Sequence, residues 1–195
     1  QLLLDFNERV IPLPEIVMEK MAAWSPTGQS CVYPEYDGFL ECLAEYVGVA
    51  ADSLFFGNGS DQLLDCIFRA CVDPGDSVLF PEPSFAMYNQ CAQLVEAEIK
   101  TFDMLSGDPL ENLKAQLNSN IRLVVLCQPN NPTGTLLDNK AIQELIEAYP
   151  NTWFLIDEAY FEFSKETLIH LNPWPENLVI TRTFSKAFGM AALRL

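Results

Sequence analysis

Ile121-Arg-Leu-Val-Val-Leu-Cys127, running directly into Gln128-Pro-Asn-Asn-Pro-Thr-Gly134, decides the fold. Only Arg122 interrupts the apolar run, so the residues on both faces of this strand want burial, whereas a half-exposed strand would alternate apolar and polar. The two prolines and the glycine that follow end the strand in a constrained loop. A helix is expected from Asp138 to Ala148, and Trp153-Phe-Leu-Ile-Asp157 is a second near-continuous apolar run. Strand, helix and strand in this order form the crossover unit of a parallel sheet covered on both faces.

The same alternation extends outward from this unit. Toward the N-terminus the pattern predicts a strand at Ser53-Leu-Phe-Phe, a turn at Gly57-Asn-Gly-Ser-Asp61 and a helix from Gln62 to Val72, with Leu63, Leu64, Ile67, Phe68 and Cys71 inward. Pro74-Gly75-Asp76 turns into a strand from Ser77 to Phe80. Pro81-Glu-Pro-Ser-Phe85 leads to a helix through Leu94, Glu98 to Phe102 is a further strand, and a helix lies near Leu110 to Leu117. Gln1 to Pro14 reads as an irregular arm, Pro14 to Trp24 as a short amphipathic helix and Ser25 to Tyr36 as a loop; a helix starts at Asp37 and stops at Gly48. Near the C-terminus Leu178 to Thr181 is a buried strand. The expected fold is α/β, a three-layer α/β/α sandwich on a mainly parallel mixed sheet, with no internal repeat.

Composition narrows the function classes. With 195 residues, 49% hydrophobic and 19% charged, the chain can bury a large core and is neither disordered nor fibrous. Eleven basic against 27 acidic residues give a formal charge of −16, which argues against nucleic acid and anionic membranes as partners but not against a small anion held by local donors. The six cysteines form no C-x-x-C pair and read as reduced core residues of a cytosolic protein. The single histidine, His170, lies in what resembles a fraying helix end and gives poor support to a His-based metal site or a Ser-His-Asp triad. No apolar run reaches membrane-spanning length, and residues from Gln1 onward lack the pattern of a basic region followed by a hydrophobic segment. A start at Gln1 and a stop at Leu195 amid apolar sequence fit a piece of something longer.

The polar clusters fall after strands, at the edge where open α/β sheets bind ligands. Gly57-Asn-Gly-Ser60-Asp61 can turn tightly and open a helix whose free N–H groups hold a phosphate, or Ser60 and Asp61 can simply cap that helix. It completes neither a dinucleotide fingerprint nor a phosphate-binding loop with Gly-Lys-Ser/Thr. Asp157, at the end of a buried strand, needs a cation or donors; otherwise its pKa climbs until it is neutral. Tyr160 reaches the same cleft. Asn130 and Asn131 are held rigidly beside another strand end, and Phe85 either stacks on a planar ligand or fills core. Thr183-Phe-Ser185-Lys186 and Arg194 place a lysine, hydroxyls and a permanent cation beyond the last strand. One ligand satisfies all these groups: planar, phosphorylated, with a ring cation and an electrophile that a lysine captures. Pyridoxal phosphate has that chemistry.

Asn131-Pro-Thr-Gly, Asp157-Glu-Ala-Tyr160 and Thr183-Phe-Ser-Lys186 with Arg194 resemble, in order and spacing, the motifs of fold-type I pyridoxal-phosphate-dependent aminotransferases. Tyr33-Pro-Glu, Gly57-Asn-Gly-Ser-Asp, Pro83-Ser-Phe-Ala-Met-Tyr88 and Ser185-Lys-Ala-Phe-Gly are more similar to the histidinol-phosphate branch than to others. The resemblance implies Lys186 as the residue that binds the cofactor covalently and then moves a proton, with Asp157 on the pyridine nitrogen. It implies Asn131 and Tyr160 on the phenolic oxygen and Phe85 on the ring face. Ser60, Asp61 (through its N–H), Thr183, Ser185 and Arg194 would hold the phosphate. Tyr33 would reach the neighbouring subunit's cofactor in a cytoplasmic homodimer. It further implies residues 1–30 as an N-terminal arm with part of a small domain, and residues 31–195 as an incomplete large domain. The implied reaction transfers an amino group between L-histidinol phosphate and 2-oxoglutarate. A related amino-acid transaminase, a threonine-phosphate decarboxylase or an inactive cofactor-binding fragment are the alternatives. Two departures touch the substrate side and the ring: Asn7-Glu8 runs into Arg9-Val10, where the family commonly has a further Asn-Pro or an aromatic, and Phe85 stands where a tyrosine is frequent.

Overall fold

In the computed structural model, which describes residues 5–24, 31–33 and 35–194, the strand that decided the fold occupies the middle of the sheet. Five strands, β1 (Ser77–Glu82), β2 (Glu98–Asp103), β3 (Ile121–Cys127), β4 (Trp153–Asp157) and β5 (Leu178–Thr181), lie in the order β2-β1-β3-β4-β5. Every pairing is parallel, so the sheet expected to be mainly parallel is parallel throughout the described residues. Cys127 pairs with Asp157 and Asp157 with Thr181, which sets the C-terminal ends of β3, β4 and β5 side by side. The order reverses direction between β1 and β3, the switch point beside which open α/β sheets have their ligand crevice.

Two N-terminal helices, α1 (Glu15–Trp24) and α2 (Asp37–Val47), precede the helices that cover both faces. Alternate residues of β3 go to opposite sides: Leu123, Val125 and Cys127 pack with Leu64 and Phe68 of α3 (Ser60–Cys71) and Tyr88 and Cys91 of α4 (Ala86–Leu94). Val124 and Leu126 pack with Leu113 of α5 (Pro109–Gln116) and Ile142 and Ile146 of α6 (Asn139–Ala148). Asp108 and Asp138 cap α5 and α6 through their carboxylates, at Leu110 N and Ala141 N. A short helix at Phe161–Ser164 follows β4. Among the described residues no helix is long and apolar enough to cross a membrane.

The structure departs from the sequence reading at one expected strand, at the cysteines and at His170. The strand expected at Ser53-Leu-Phe-Phe is not one: Ala51–Ser53 forms a 3-10 turn, and the extended residues after it pair with no strand. Phe55 is 78% exposed there, and Phe56 makes edge contacts to Tyr36 and Phe39, so the apolar pattern reflects ring packing against the helix Asp37–Val47 instead of a ladder. The expected helix near the start exists at Glu15–Trp24 but buries nothing; Ile16 and Met21 are exposed. The cysteines divide, with Cys71, Cys91 and Cys127 buried and Cys31, Cys42 and Cys66 exposed, so only half are core residues. His170 is exposed in a turn, not at a helix end. Residues 1–4 of the arm, 25–30 of the following loop, Pro34 and Leu195 lie outside the described residues.

Candidate active site

Asp157 ends β4 with only 2% of its surface exposed. Tyr88 Oη donates to its Oδ2 at 2.7 Å, while Thr181 Oγ1 and the Ala159 N–H donate to Oδ1, each at 3.2 Å. All three donors are neutral. Burial pushes the carboxyl pKa up, and these hydrogen bonds pull it partly back. A carboxylate has roughly four acceptor positions, so about one remains for a group in the cavity that Asp157 lines.

That cavity, about 460 Å³, sits at the C-terminal ends of the strands. Lys186 enters it from the loop after β5; its Nζ donates to the Phe6 carbonyl at 2.8 Å and lies 6.0 Å from the centre of the Tyr160 ring. Asn7 Nδ2 donates to Tyr160 Oη at 2.9 Å. Burial raises the Tyr160 pKa, and the Asn7 bond opposes that rise. Arg9 continues the same cover, donating to the Ala187 carbonyl at 3.2 Å and packing on Gly189, where a Cβ would come within 2.8 Å of its side chain. Residues 6–9 thus lie across the lysine loop.

The opposite end of the cavity is built for an anion. Gly59 caps α3 without any side-chain hydrogen bond, leaving Ser60 and Asp61 in the first turn at the positive end of the helix dipole. The Arg194 guanidinium packs directly on Gly59, so a Cβ at that position would collide with it. Gly59 also has φ 77° and ψ 162°, a conformation that essentially only glycine adopts. Arg194 pairs with Asp61 Oδ2 at 3.5 Å. Thr183 Oγ1 accepts the Ser185 N–H at 3.1 Å and donates to Ser185 Oγ at 3.0 Å, which folds the hydroxyl cluster into one turn.

A second layer holds these groups in place. Asn130, buried, accepts from Ser84 Oγ at 2.7 Å and donates to the Pro83 carbonyl at 3.0 Å and Thr133 Oγ1 at 2.9 Å, tying the loops after β1 and β3 together across the crevice. Behind Asp157, the buried Glu158 pairs with Arg182 at 2.8 Å, and the Arg182 guanidinium stacks 3.6 Å from the centre of the Phe161 ring. Burial raises the Glu158 pKa, and Arg182 opposes that.

Of the residues expected at the site, Ser60, Asp61, Phe85, Asn131, Asp157, Tyr160, Thr183, Ser185, Lys186 and Arg194 all line this cavity. Tyr33 does not; it is 98% exposed, facing solvent. Phe85 is half-buried: it lines the cavity and meets Tyr88 edge-on, with ring centroids 5.7 Å apart. The sequence assigns no site role to Tyr88, which closes the Pro83–Tyr88 motif, to Asn7 of the arm or to Thr181, yet all three bond site residues. Tyr88 lies three residues after Phe85 at a helix start, which places it near the same side. Thr181 becomes legible only once its pairing with Asp157 is known, and the reach of Asn7 to Tyr160 has no local signature.

Residues 3–195 match the model of the aminotransferase class I and II family, and the chain belongs to that family. It is 38% identical over 197 residues to the histidinol-phosphate aminotransferase of Thermoanaerobacter pseudethanolicus, covering 98% of this chain and 56% of that protein. It is 39% identical over 198 residues to the one from Caldanaerobacter subterraneus, with the same coverages. The chain therefore spans about half the length of these curated relatives. Among solved structures it resembles the histidinol-phosphate aminotransferase from Sinorhizobium meliloti in complex with pyridoxal-5'-phosphate, with a TM-score of 0.84, 25% identity and coverage of 97% of this chain and 53% of that one. It also resembles the L-threonine-O-3-phosphate decarboxylase from Porphyromonas gingivalis, with a TM-score of 0.78, 26% identity and coverage of 95% and 58%.

Proposed function

We propose that this chain forms the cofactor-holding part of a pyridoxal-phosphate-dependent aminotransferase that moves an amino group between L-histidinol phosphate and 2-oxoglutarate. The observation that carries the reading is the convergence of Lys186, the sealed Asp157 carboxylate and the Arg194 anion cup on one cavity. The fit to the cofactor rests on Asp157: a carboxylate buried among neutral donors with an acceptor position to spare suits a protonated ring nitrogen. When bound, pyridoxal phosphate supplies an aldehyde that a lysine can capture and a cationic ring that withdraws electrons.

The chain's own residues do the rest. Asp157 keeps the ring nitrogen protonated, a contact worth about 4 kcal/mol at an effective dielectric near 20, before desolvation. Lys186 Nζ would hold the cofactor by its aldehyde and, once the substrate's amine has displaced it, would take up and return the proton of the substrate's α-carbon. To do so it leaves the Phe6 carbonyl that now holds it. Asn131 and Tyr160 would bond the ring's phenolic oxygen and Phe85 would cover its face; all three line the cavity. The N–H groups of Ser60 and Asp61, with Thr183, Ser185 and Arg194, take the phosphate. An arriving phosphate competes with Asp61 for Arg194, because the two are already paired.

Residues 31–195 are assigned to the large domain and residues 1–30 to an arm with part of a small domain. A homodimer is part of the same reading, with Tyr33 entering the neighbouring site; a phenol 98% exposed suits that role. The reaction is placed in the cytoplasm. Relatives at 38% and 39% identity support histidinol phosphate as the donor. The structural likeness to the threonine-phosphate decarboxylase supports decarboxylation as the second reading.

A substrate panel run on the full-length protein with pyridoxal phosphate, monitored for both keto acid and carbon dioxide, separates them. Amino transfer from histidinol phosphate to 2-oxoglutarate is expected; carbon dioxide release, or transfer only from other donors, overturns the substrate assignment. Borohydride reduction followed by peptide mapping is expected to label Lys186, and label on any other lysine refutes the site.

A further inference from the structure

Among the described residues Tyr88 is the largest side chain sealed completely in the interior, and its one polar atom donates to Asp157. Its phenol is the shortest of the three bonds to that carboxylate and the only one to Oδ2, the others sharing Oδ1. The ring is fixed by Phe80, tilted with centroids 6.3 Å apart, and by Phe85, edge-on at 5.7 Å. Phe85 in turn lines the cavity, so one residue touches both the carboxylate and the ring that borders the ligand space. A core phenylalanine would fill this volume equally well; the hydroxyl serves only Asp157 and the neighbouring Cys127 thiol.

We propose that Tyr88 is a positioning residue: its O–H locks the rotation of the Asp157 carboxylate and favours its charged form, aiming its remaining acceptor at a cationic ring nitrogen in the cavity. The proposal rests on the cofactor reading given above and names a residue outside the cofactor's own contacts. Mechanically, a buried carboxylate free to rotate would turn toward whichever donors it finds. Electrostatically, each neutral donor stabilises the charged form, so its loss favours the protonated acid, which no longer attracts a cation. The other titratable groups around Asp157 are Cys127 on β3, Asp61 on α3, and Tyr160 and Lys186 on the loops. None of these donates to Oδ2.

The test compares two probes on the full chain: pyridoxal phosphate and its 1-deaza analogue, which has carbon in place of the ring nitrogen. Wild type is expected to bind pyridoxal phosphate at least tenfold more tightly than the analogue, and Tyr88→Phe to lose most of that preference while binding the analogue unchanged. A merely structural role would weaken both probes alike, and a preference retained in Tyr88→Phe overturns the proposal. Absence of any preference in wild type, or binding of neither probe, would instead sink the cofactor reading itself. Should Tyr88→Phe not fold, 3-fluorotyrosine at position 88 keeps the shape and strengthens the donor. With ligand-free protein carrying ¹³C-labelled aspartate, it is expected to lower the titration midpoint of the Asp157 carboxyl resonance. A midpoint that stays in place overturns the proposal.

Discussion

At Asp157 the cost of the site is visible in a single side chain. Burial raises its carboxyl pKa above the ordinary value, and the bonds from Tyr88, Thr181 and Ala159 only partly offset this. An acid whose folded pKa exceeds its unfolded one binds more protons when folded. Its contribution to stability is therefore best at low pH and declines as pH rises from the ordinary carboxylate range, about 3.9, through the raised folded value. Glu158 shifts in the same direction for the same first reason. Ligand-free protein should then lose stability across that window, and Asp157→Asn should flatten the decline without abolishing it, because Glu158 remains. Thermal melts of both proteins at several pH values measure this; parallel curves would show that Asp157 carries no such penalty. A cation in the cavity reverses the sign by favouring the charged acid, so bound cofactor is expected to stabilise wild type more than Asp157→Asn.

Between β4 and β5 the pair Glu158–Arg182 joins two elements whose ends carry the chemistry. Arg182 reaches Glu158 through both Nε, at 3.0 Å, and a terminal nitrogen, at 2.8 Å, and the same nitrogen also bonds Thr167 Oγ1 at 2.9 Å. Removing the arginine leaves a buried carboxylate with no counter-charge, and Arg182→Met is expected to cost about 3–5 kcal/mol. Adding Glu158→Gln should recover much of that loss, since the uncompensated charge goes with it. Urea unfolding of the two variants checks both statements, and a double variant no better than the single one contradicts them. Much of this architecture is legible in the sequence because a parallel strand covered on both faces must be apolar on both, which Ile121–Cys127 and Trp153–Asp157 are. Ser53–Phe56 carries a similar apolar run that pairs with no strand, so the pattern alone misplaces it in the sheet, whereas the amphipathic helix Glu15–Trp24 forms as expected with no buried residue. At the site, residues that leave strand ends are readable from the turn chemistry beside them. Partners such as Tyr88 and Thr181 are fixed by strand register and helix docking, which no local pattern encodes.

Over the whole molecule, a formal charge of −16 surrounds a cavity whose proposed ligand is itself an anion. Even the cavity wall carries Asp5, Glu8, Asp61 and Asp157 against Lys186 and Arg194. The phosphate would therefore be captured by directed donors at contact range, the α3 N-terminus, the hydroxyls and Arg194, against the long-range field. Screening separates the two contributions. The Debye length falls from about 30 Å at 0.01 M to about 8 Å at 0.15 M salt, which removes the distant repulsion and leaves close contacts largely intact. Association of pyridoxal phosphate, followed by stopped-flow absorbance, should accelerate severalfold across that range, while uncharged pyridoxal should show little change. Most anion sites behave the other way, because their steering field is attractive and salt weakens it. A rate that falls with salt would mean that Lys186 and Arg194 project a positive field beyond the mouth despite the acids around them. In that case the Arg194–Asp61 pair must already be open in the ligand-free protein, since a closed pair at 3.5 Å presents almost no net charge at a distance.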